Sequence, residues 1–206
     1  MRKTTTAPII ITLLMISLCS PMMVNAADST VSSDVTWSGE QILSGNITIS
    51  QGVTLTIQPG TTVDCGDNFW IHVDGTIIAE DAHFFSSTPP VTQGSHGAGL
   101  WKGLIIGTSG TAFINNTLIE NAKTAILVNG QLIANELHIN HSYIGINNLA
   151  YSTIDGYFSS QIDYDSIQNS GVLDLADGKI EQSATGIQTS GTSTIADSNF
   201  SSVVLH

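Results

Sequence analysis

The chain repeats apolar positions at intervals of about 20 residues, and this period restricts the folds that it can adopt. A segment of that length holds two or three short strands and their corners, with no room for the crossover helix of a βαβ unit. Three columns keep this spacing over five successive segments: Ile114, Ala134, Ile154, Leu175 and Ile195; Ile119, Ile139, Ser159, Ile180 and Phe200; and Leu104, Ile126, Ile146, Ile167 and Ile187. A register kept over so many segments indicates a solenoid.

The three columns predict a parallel β-helix, in which each turn of the coil stacks on the turn before it. If each turn rises by one strand spacing of about 4.8 Å, equivalent side chains lie on top of one another and fill a narrow interior. An antiparallel sandwich would not keep one register, because its alternate strands run in opposite directions. We therefore predict an all-β, single-stranded parallel solenoid of about seven coils, with 20–22 residues per coil.

A longer internal match locates an insertion. The stretch from Val73 to Ser87 aligns without a gap to the stretch from Val128 to Ser142. Phe84 also aligns with Ile119, 35 residues later, so one turn holds extra residues. We assign them to a loop over residues 88–100, which is rich in proline and glycine. Trp101 follows this loop and is predicted to cover the seam where the chain rejoins the coil.

The first 27 residues are typical of a secretory signal peptide rather than of a folded domain. A short basic head precedes an apolar run from Ile9 to Cys19, and the small residues around Ala26 suit a signal peptidase. The run is shorter than the ~20 residues of a bilayer span; the alternative is a retained anchor. We predict a signal peptide over 1–27 and a β-helix domain over 28–206, secreted or displayed on the cell surface, with no membrane span after cleavage.

Cleavage would leave a strongly acidic chain with few cations. Residues 28–206 contain three lysines, no arginine and 17 acidic residues, a net charge of −14. This charge argues against nucleic acid as a partner, because phosphates are bound by Lys and Arg. One cysteine remains, Cys65, so the domain has no intrachain disulfide and depends on packing for its stability.

Three stretches resemble a known family: TWSGEQILSGNITISQGVTLTIQPGTTV, IHVDGTIIAEDAHFFSS and GLWKGLII. In this order they are similar to exported right-handed β-helix proteins of the pectate-lyase-like superfamily, which is common among archaeal and bacterial surface proteins. The resemblance covers essentially the whole predicted mature chain. It implies a right-handed coil, in agreement with the usual sense of parallel crossovers, and it is specific for architecture rather than for activity.

For function, we predict a scaffold that binds carbohydrate or other surface proteins. A polysaccharide lyase or glycoside hydrolase is the alternative that the resemblance implies, because such enzymes use clustered carboxylates with a basic proton acceptor. Residues 28–206 have no arginine for that role and lack the paired-aspartate and His-Gly motifs of related polygalacturonases. Lys102 and Lys123, 21 residues apart, could supply a lysine base. Whether the chain is an enzyme stays open, and we assign no catalytic or cofactor-binding residue.

One corner of the predicted coil carries a column of polar residues. Asn, Asp and Glu recur one and two positions after the Ile114 column, and the candidates for a calcium site are Glu136, Asp155, Asp177 and Asp197. Calcium prefers oxygen ligands, and like charges at strand spacing repel unless they are bridged or screened. A calcium-stabilised adhesin-like repeat is therefore a third alternative. The simpler interpretation is a solvated corner of turn-forming residues.

Two further expectations concern partners and modification. The last turn runs through Ile195 and Phe200 without a polar capping helix, which predicts an uncapped C-terminal end and self-association through it. Four sequences fit the acceptor pattern for N-linked glycosylation. Their asparagines are Asn46, Asn115, Asn140 and Asn199.

Overall fold

Nineteen β-strands form the part of the protein that the computed structural model describes, residues 28–87 and 101–201. The predicted signal peptide, the loop over 88–100 and residues 202–206 lie outside these ranges. The strands are β1 (Ser29–Val31), β2 (Val35–Trp37), β3 (Glu40–Ile42), β4 (Ile47–Ile49), β5 (Thr54–Ile57), β6 (Thr62–Asp64), β7 (Trp70–Val73), β8 (Thr76–Glu80), β9 (His83–Phe85), β10 (Gly103–Ile106), β11 (Thr111–Glu120), β12 (Thr124–Val128), β13 (Gln131–Asn140), β14 (Ile144–Asn148), β15 (Tyr151–Asn169), β16 (Val172–Ala176), β17 (Lys179–Thr189), β18 (Thr192–Ala196) and β19 (Asn199–Ser201).

The strands lie on three faces of a coil, which we call A, B and C in the order in which each turn crosses them. Face A holds β1, β4, β7, β10, β12, β14 and the last parts of β15 and β17. Face B holds β2, β5, β8, the first halves of β11, β13 and β15, then β16 and β18. Face C holds the remaining strands, and each described strand pair is parallel. The predicted parallel solenoid is confirmed, with about eight turns on face B rather than seven.

The predicted columns stack in register. Ile114 pairs with Ala134, and the same ladder continues through Ile154 and Leu175 to Ile195. It also extends towards the N-terminus through Ala79 and Ile57 to Trp37, which supplies the additional turn. Most of these side chains are buried because successive turns cover them from both sides. Ile195 is the exception, 43% exposed, since no described strand pairs with β18 on its far side.

The seam predicted at Trp101 is also confirmed. Its side chain is fully buried, and its ring stacks against Phe84 with centroids 6.4 Å apart. The indole Nε1–H donates to the backbone oxygen of Glu120 at 2.9 Å, and the residue forms a parallel bridge with Ala122. Trp101 therefore fixes the start of a turn at the point where the described chain resumes. Within the described ranges, no helix has the length and apolar character needed to cross a bilayer.

Two buried asparagines replace aliphatic residues at the corner between faces A and B. Asn148 donates from Nδ2 to Asn169 Oδ1 at 2.8 Å and to Val172 O at 2.9 Å, and accepts from Ser152 Oγ at 2.9 Å. Asn169 repeats the pattern one turn later by donating to the backbone oxygen of Thr192. A buried amide is tolerated only when its donors and acceptors are paired. The ladder thus satisfies carbonyl groups at the corner as well as its own side chains.

A second polar cluster lies inside the coil around Tyr157. The phenol oxygen lies 3.0 Å from Ser166 Oγ, and Ser159 Oγ lies 2.6 Å from the same atom. Tyr157 is completely buried, and burial raises the pKa of its phenol to about 12, although the bonds to Ser166 and Ser159 act in the opposite direction. The folded coil therefore favours the protonated, neutral form of Tyr157 over the phenolate.

This buried phenol makes stability depend on alkaline pH. In the unfolded chain the tyrosine titrates near 10. The stability that the buried neutral phenol contributes to the folded protein is therefore fully present below pH 10 and is lost as the pH rises from 10 towards 12. We expect the free energy of unfolding to fall by about 2–3 kcal/mol over this window, measured by urea denaturation. Tyr157→Phe, which has no ionisable group, should remove this part of the pH dependence. An unchanged slope in that variant would contradict the assignment.

Candidate functional site

Two lysines and three aromatic residues lie along the corner that joins face C to face A. We call Trp70, Lys102, Lys123, Tyr143 and Tyr164 the corner strip. The last four occupy successive turns, because each backbone N–H donates to a carbonyl of the preceding turn at 2.7–2.9 Å. The solenoid therefore converts residues that are 20 to 21 positions apart in the chain into neighbours one strand spacing apart.

Four of the five side chains of the corner strip form two contacting pairs. Lys102 Nζ lies 4.3 Å from the centroid of the Trp70 ring, a cation–π arrangement. Tyr143 and Tyr164 stack with ring centroids 5.5 Å apart and planes inclined by 15°. Tyr164 remains 46% exposed. These contacts hold the rings in place while leaving part of their apolar surface open to a ligand.

An irregular ladder positions Tyr164. The pairing between β15 and β17 shifts register between Ile162 and Asp165, at the turn that contains 21 residues rather than 20. A bulge of this kind re-aims side chains at the surface. Asp163 is exposed whereas Asp165 is only 2% exposed, so the two carboxylates on either side of Tyr164 have different surroundings. They therefore do not form a matched pair of surface carboxylates.

The lysines of the corner strip give it a charge opposite to that of the protein. Within residues 28–87 and 101–201, neither Lys102 nor Lys123 has a carboxylate within 4.0 Å. Lys179, on face C, pairs instead with Glu181 at 2.8 Å. In a chain with a formal net charge of −12, the strip therefore concentrates uncompensated positive charge at one place.

Amide side chains line a groove on face A, near the corner with face B. Asn147, Gln168 and Gln188 follow one another in register on three turns and point outward. The groove has a volume of about 410 Å³ and is also lined by Leu149, Ser170 and Ser190, among others. Gln168 Nε2 donates to Asp165 Oδ2 at 2.6 Å, which fixes the orientation of that amide. Face A thus offers rings at one edge and hydrogen-bonding amides at the other.

This combination suits a polyhydroxylated ligand. Partly exposed aromatic rings provide flat apolar surfaces with polar tips, amides supply both donors and acceptors, and lysines attract anionic groups. A sugar presents apolar C–H faces and hydroxyl edges, so both edges of face A can contact it. The sequence alone places the lysines on neighbouring turns and the tyrosines within one coil, but does not show that they share one corner.

Three histidines, His83, His138 and His141, lie near one another on face C and at its edge. His83 and His138 point outward on face C, with Leu118 between them in register. His83 Nε2 lies 2.9 Å from Glu120 Oε2, and His141 Nδ1 lies 3.9 Å from the other oxygen of that carboxylate. Sequence reasoning missed Glu120, because it lies 37 residues from His83 and in a different column.

The candidate calcium residues belong to a corner with special backbone geometry. Glu136, Asp177 and Asp197 lie between faces B and C with φ of 51°, 48° and 47°, in the left-handed region. Asp155 precedes this position, and Gly156 occupies it with φ of 69°. Asn, Asp and Gly adopt this region most readily, so the turn itself accounts for most of the column. In the described part of the chain, no three His, Cys, Asp or Glu side chains are arranged to hold a metal ion.

The acceptor asparagines differ in their surroundings. Asn46 and Asn140 are half-buried, and Asn46 donates from Nδ2 to Asp28 at 2.8 Å. Asn115 and Asn199 are exposed. Exposure therefore separates the four sequence matches into two pairs.

The backbone defines the class of this protein as a parallel β-solenoid of about eight turns. No protein-family model, curated protein or solved structure matches the chain. The surface chemistry of the described residues is therefore what bears on the function of this protein.

The left-handed corner generates a prediction that also tests calcium binding. Glu136→Asn should stabilise the protein by about 0.5–1 kcal/mol, because glutamate adopts a left-handed φ less readily than asparagine. Glu80→Asn, one position after the same column but on an ordinary strand, is the control and should give no gain. Thermal melts with calcium and with a chelator measure both variants. Destabilisation of Glu136→Asn only when calcium is present would instead identify a cation site.

Proposed function

We propose that this chain is an exported, non-catalytic scaffold whose solenoid binds an extended carbohydrate chain along the corner strip. The observation that carries the proposal is the alignment of Trp70, Lys102, Lys123, Tyr143 and Tyr164 on successive turns. The resemblance to exported β-helix proteins of the pectate-lyase-like superfamily and the signal-like residues 1–27 support the location outside the cell.

The shape of the corner strip favours a polymer over a small molecule. Five successive turns are separated by four spacings of about 4.8 Å, so the strip is about 19 Å long from end to end. Small-molecule sites are usually enclosed cavities that bury most of the ligand, whereas this strip is an open corner. A chain of sugars running parallel to the coil axis would contact each turn in succession.

The backbone supports the strip as a rigid base. Each turn of the strip is hydrogen-bonded to the turns on both sides, and the Trp70–Lys102 and Tyr143–Tyr164 contacts hold the rings, so the backbone and the rings need little ordering when the ligand arrives. Preorganisation of this kind reduces the entropic cost of binding. The amides of Asn147, Gln168 and Gln188 then supply hydrogen bonds across face A.

The charge of the strip favours an acidic polysaccharide. Lys102 and Lys123 lack carboxylate partners in the described ranges, so a carboxylated or sulfated sugar would gain ion pairs that the protein does not itself provide. The surrounding acidic surface repels the same ligand elsewhere, which directs it to the strip. The same lysine pair favours the alternative function, an acidic-polysaccharide lyase, because either amine could accept a proton.

The tyrosine pair provides the sharpest test. Tyr143→Ala with Tyr164→Ala should weaken polysaccharide binding by about tenfold, since two stacking contacts are worth about 1–3 kcal/mol together. Tyr151→Ala is the matched control, because Tyr151 is 40% exposed but lies on face B. Glycan-array screening identifies the polymer, and affinity electrophoresis measures the loss. Equal losses of binding in the double variant and in Tyr151→Ala would contradict the proposal.

The lysines should determine the preference for acidic polymers. Lys102→Gln with Lys123→Gln should reduce binding of an acidic polysaccharide and its sensitivity to salt, while binding of a neutral analogue changes little. Lys179→Gln, which removes a lysine on face C, should leave both unchanged. Incubation of the unmutated protein with pectic and alginate substrates completes the experiment. Release of unsaturated products would show that the protein is a lyase rather than a non-catalytic scaffold.

A further inference from the structure

An apolar patch is exposed on face B, away from the corner strip. Ile78, Phe113 and Ile133 are in register on three neighbouring turns and point outward. Ile78 is 39% exposed and Phe113 is 42% exposed. With their neighbours they line a shallow groove of about 290 Å³. We call these three residues the face B patch, which the proposed carbohydrate-binding role does not use.

Asn115 lies beside this patch on the same side of the sheet. It follows Phe113 by two residues in β11, so its side chain also points outward. Asn115-Asn116-Thr117 fits the acceptor pattern for N-linked glycosylation. Asn115 Oδ1 accepts a hydrogen bond from Asn135 Nδ2 at 3.1 Å, while its own Nδ2 has no acceptor among the described residues. The nitrogen that a glycan requires is therefore exposed and uncommitted.

The other three acceptor asparagines have less suitable surroundings. Asn46 uses both amide atoms, donating to Asp28 and accepting from the backbone N–H of Trp70. Asn140 is half-buried and accepts from Ser160 Oγ. Asn199 is exposed but pairs in register with Lys179, so its neighbourhood is charged rather than apolar. At none of these three positions would a sugar cover an exposed apolar surface.

We propose that Asn115 carries an N-linked glycan whose first sugars lie over the face B patch. The inference rests on the proposed export of the chain, which exposes it to glycan transfer. A lipid-phosphate-linked glycan is the donor. A bond forms between Asn115 Nδ2 and the anomeric carbon of the sugar, the bond from that carbon to the phosphate oxygen breaks, and Nδ2 loses one proton. The lipid phosphate is the leaving group.

The surroundings of the acceptor sequence determine when the transfer occurs. Thr117 is fully buried, and its Oγ1 donates to the backbone oxygen of Asn115 at 2.8 Å. An enzyme that reads this hydroxyl must therefore act on the extended chain, before β11 is covered by the next turn. After folding, Asn115 Oδ1 still accepts from Asn135, since the glycan replaces only one hydrogen on Nδ2.

A glycan at this position has a physical role in the folded protein. Sugar C–H groups pack on apolar rings, so the glycan would cover Phe113 and remove part of the patch from water. Exposed apolar strips on a β-sheet promote association between molecules. The modification would therefore keep face B from binding other copies, while the corner strip stays available.

The test is expression of the full chain in a eukaryotic secretory host, followed by intact-mass measurement and glycopeptide mapping. We expect a glycan on the peptide that contains Asn115 and its complete loss in Asn115→Gln. Asn199→Gln, the matched exposed control, should leave the Asn115 glycopeptide unchanged. Mapping on the unmutated chain does not depend on the folding of any variant. A glycan found only at other sites would overturn the inference.

N-terminal sequencing separates this inference from the proposed function. An exported chain without residues 1–27 but with bare Asn115 would overturn the glycan and leave the exported binding role intact. A chain that keeps residues 1–27 and has no glycan would overturn both. As a second readout, the glycan-free Asn115→Gln protein should bind more of an apolar dye. Adding Phe113→Thr should reverse that increase, and dye binding that ignores Phe113 would contradict the covering role.

Discussion

The parallel hydrogen bonding between successive turns is the constraint on which the rest of this structure depends. Each turn takes its register from the turn before it, so a residue's lateral position is decided by its place within a 20-residue period. This pairing stacks Ile114 on Ala134 on face B and places Tyr143 beside Tyr164 at the corner between faces C and A. Interior packing and surface chemistry are consequently two results of one register.

The aliphatic interior was predictable because it repeats, and the polar interior was not. Buried columns require similar side chains at equal spacing, which a single sequence reveals directly. Asn148 and Asn169 occupy the interior position that Val128 holds one turn earlier. Asparagine is usually found at the surface, so nothing in its spacing distinguishes a buried ladder from a solvated corner. Only the three-dimensional partners of each amide identify its role.

The candidate site was predictable in its parts but not in its assembly. The sequence indicates that Lys102 and Lys123 lie on neighbouring turns and that the tyrosines cluster. It does not separate Tyr157, which is buried with Ser159 and Ser166, from the exposed Tyr164. Tyr157 is in register with the buried Leu137, whereas Tyr164 lies at the register shift near Asp165, a local departure from the period. Periodic reasoning is least informative at such departures, and here one of them presents a ring of the proposed site.

The register shift near Asp165 also allows a repetitive protein to keep a continuous interior while its surface varies. A strictly periodic coil presents the same lateral position to solvent on every turn, so its surface can vary in residue type but not in the direction of the chain. One additional residue re-aims the chain locally, and the ladders on either side resume without error. Surface chemistry can therefore change within a single turn while the interior stays continuous. In this architecture, a change in the length of one turn can therefore alter recognition chemistry without a new fold.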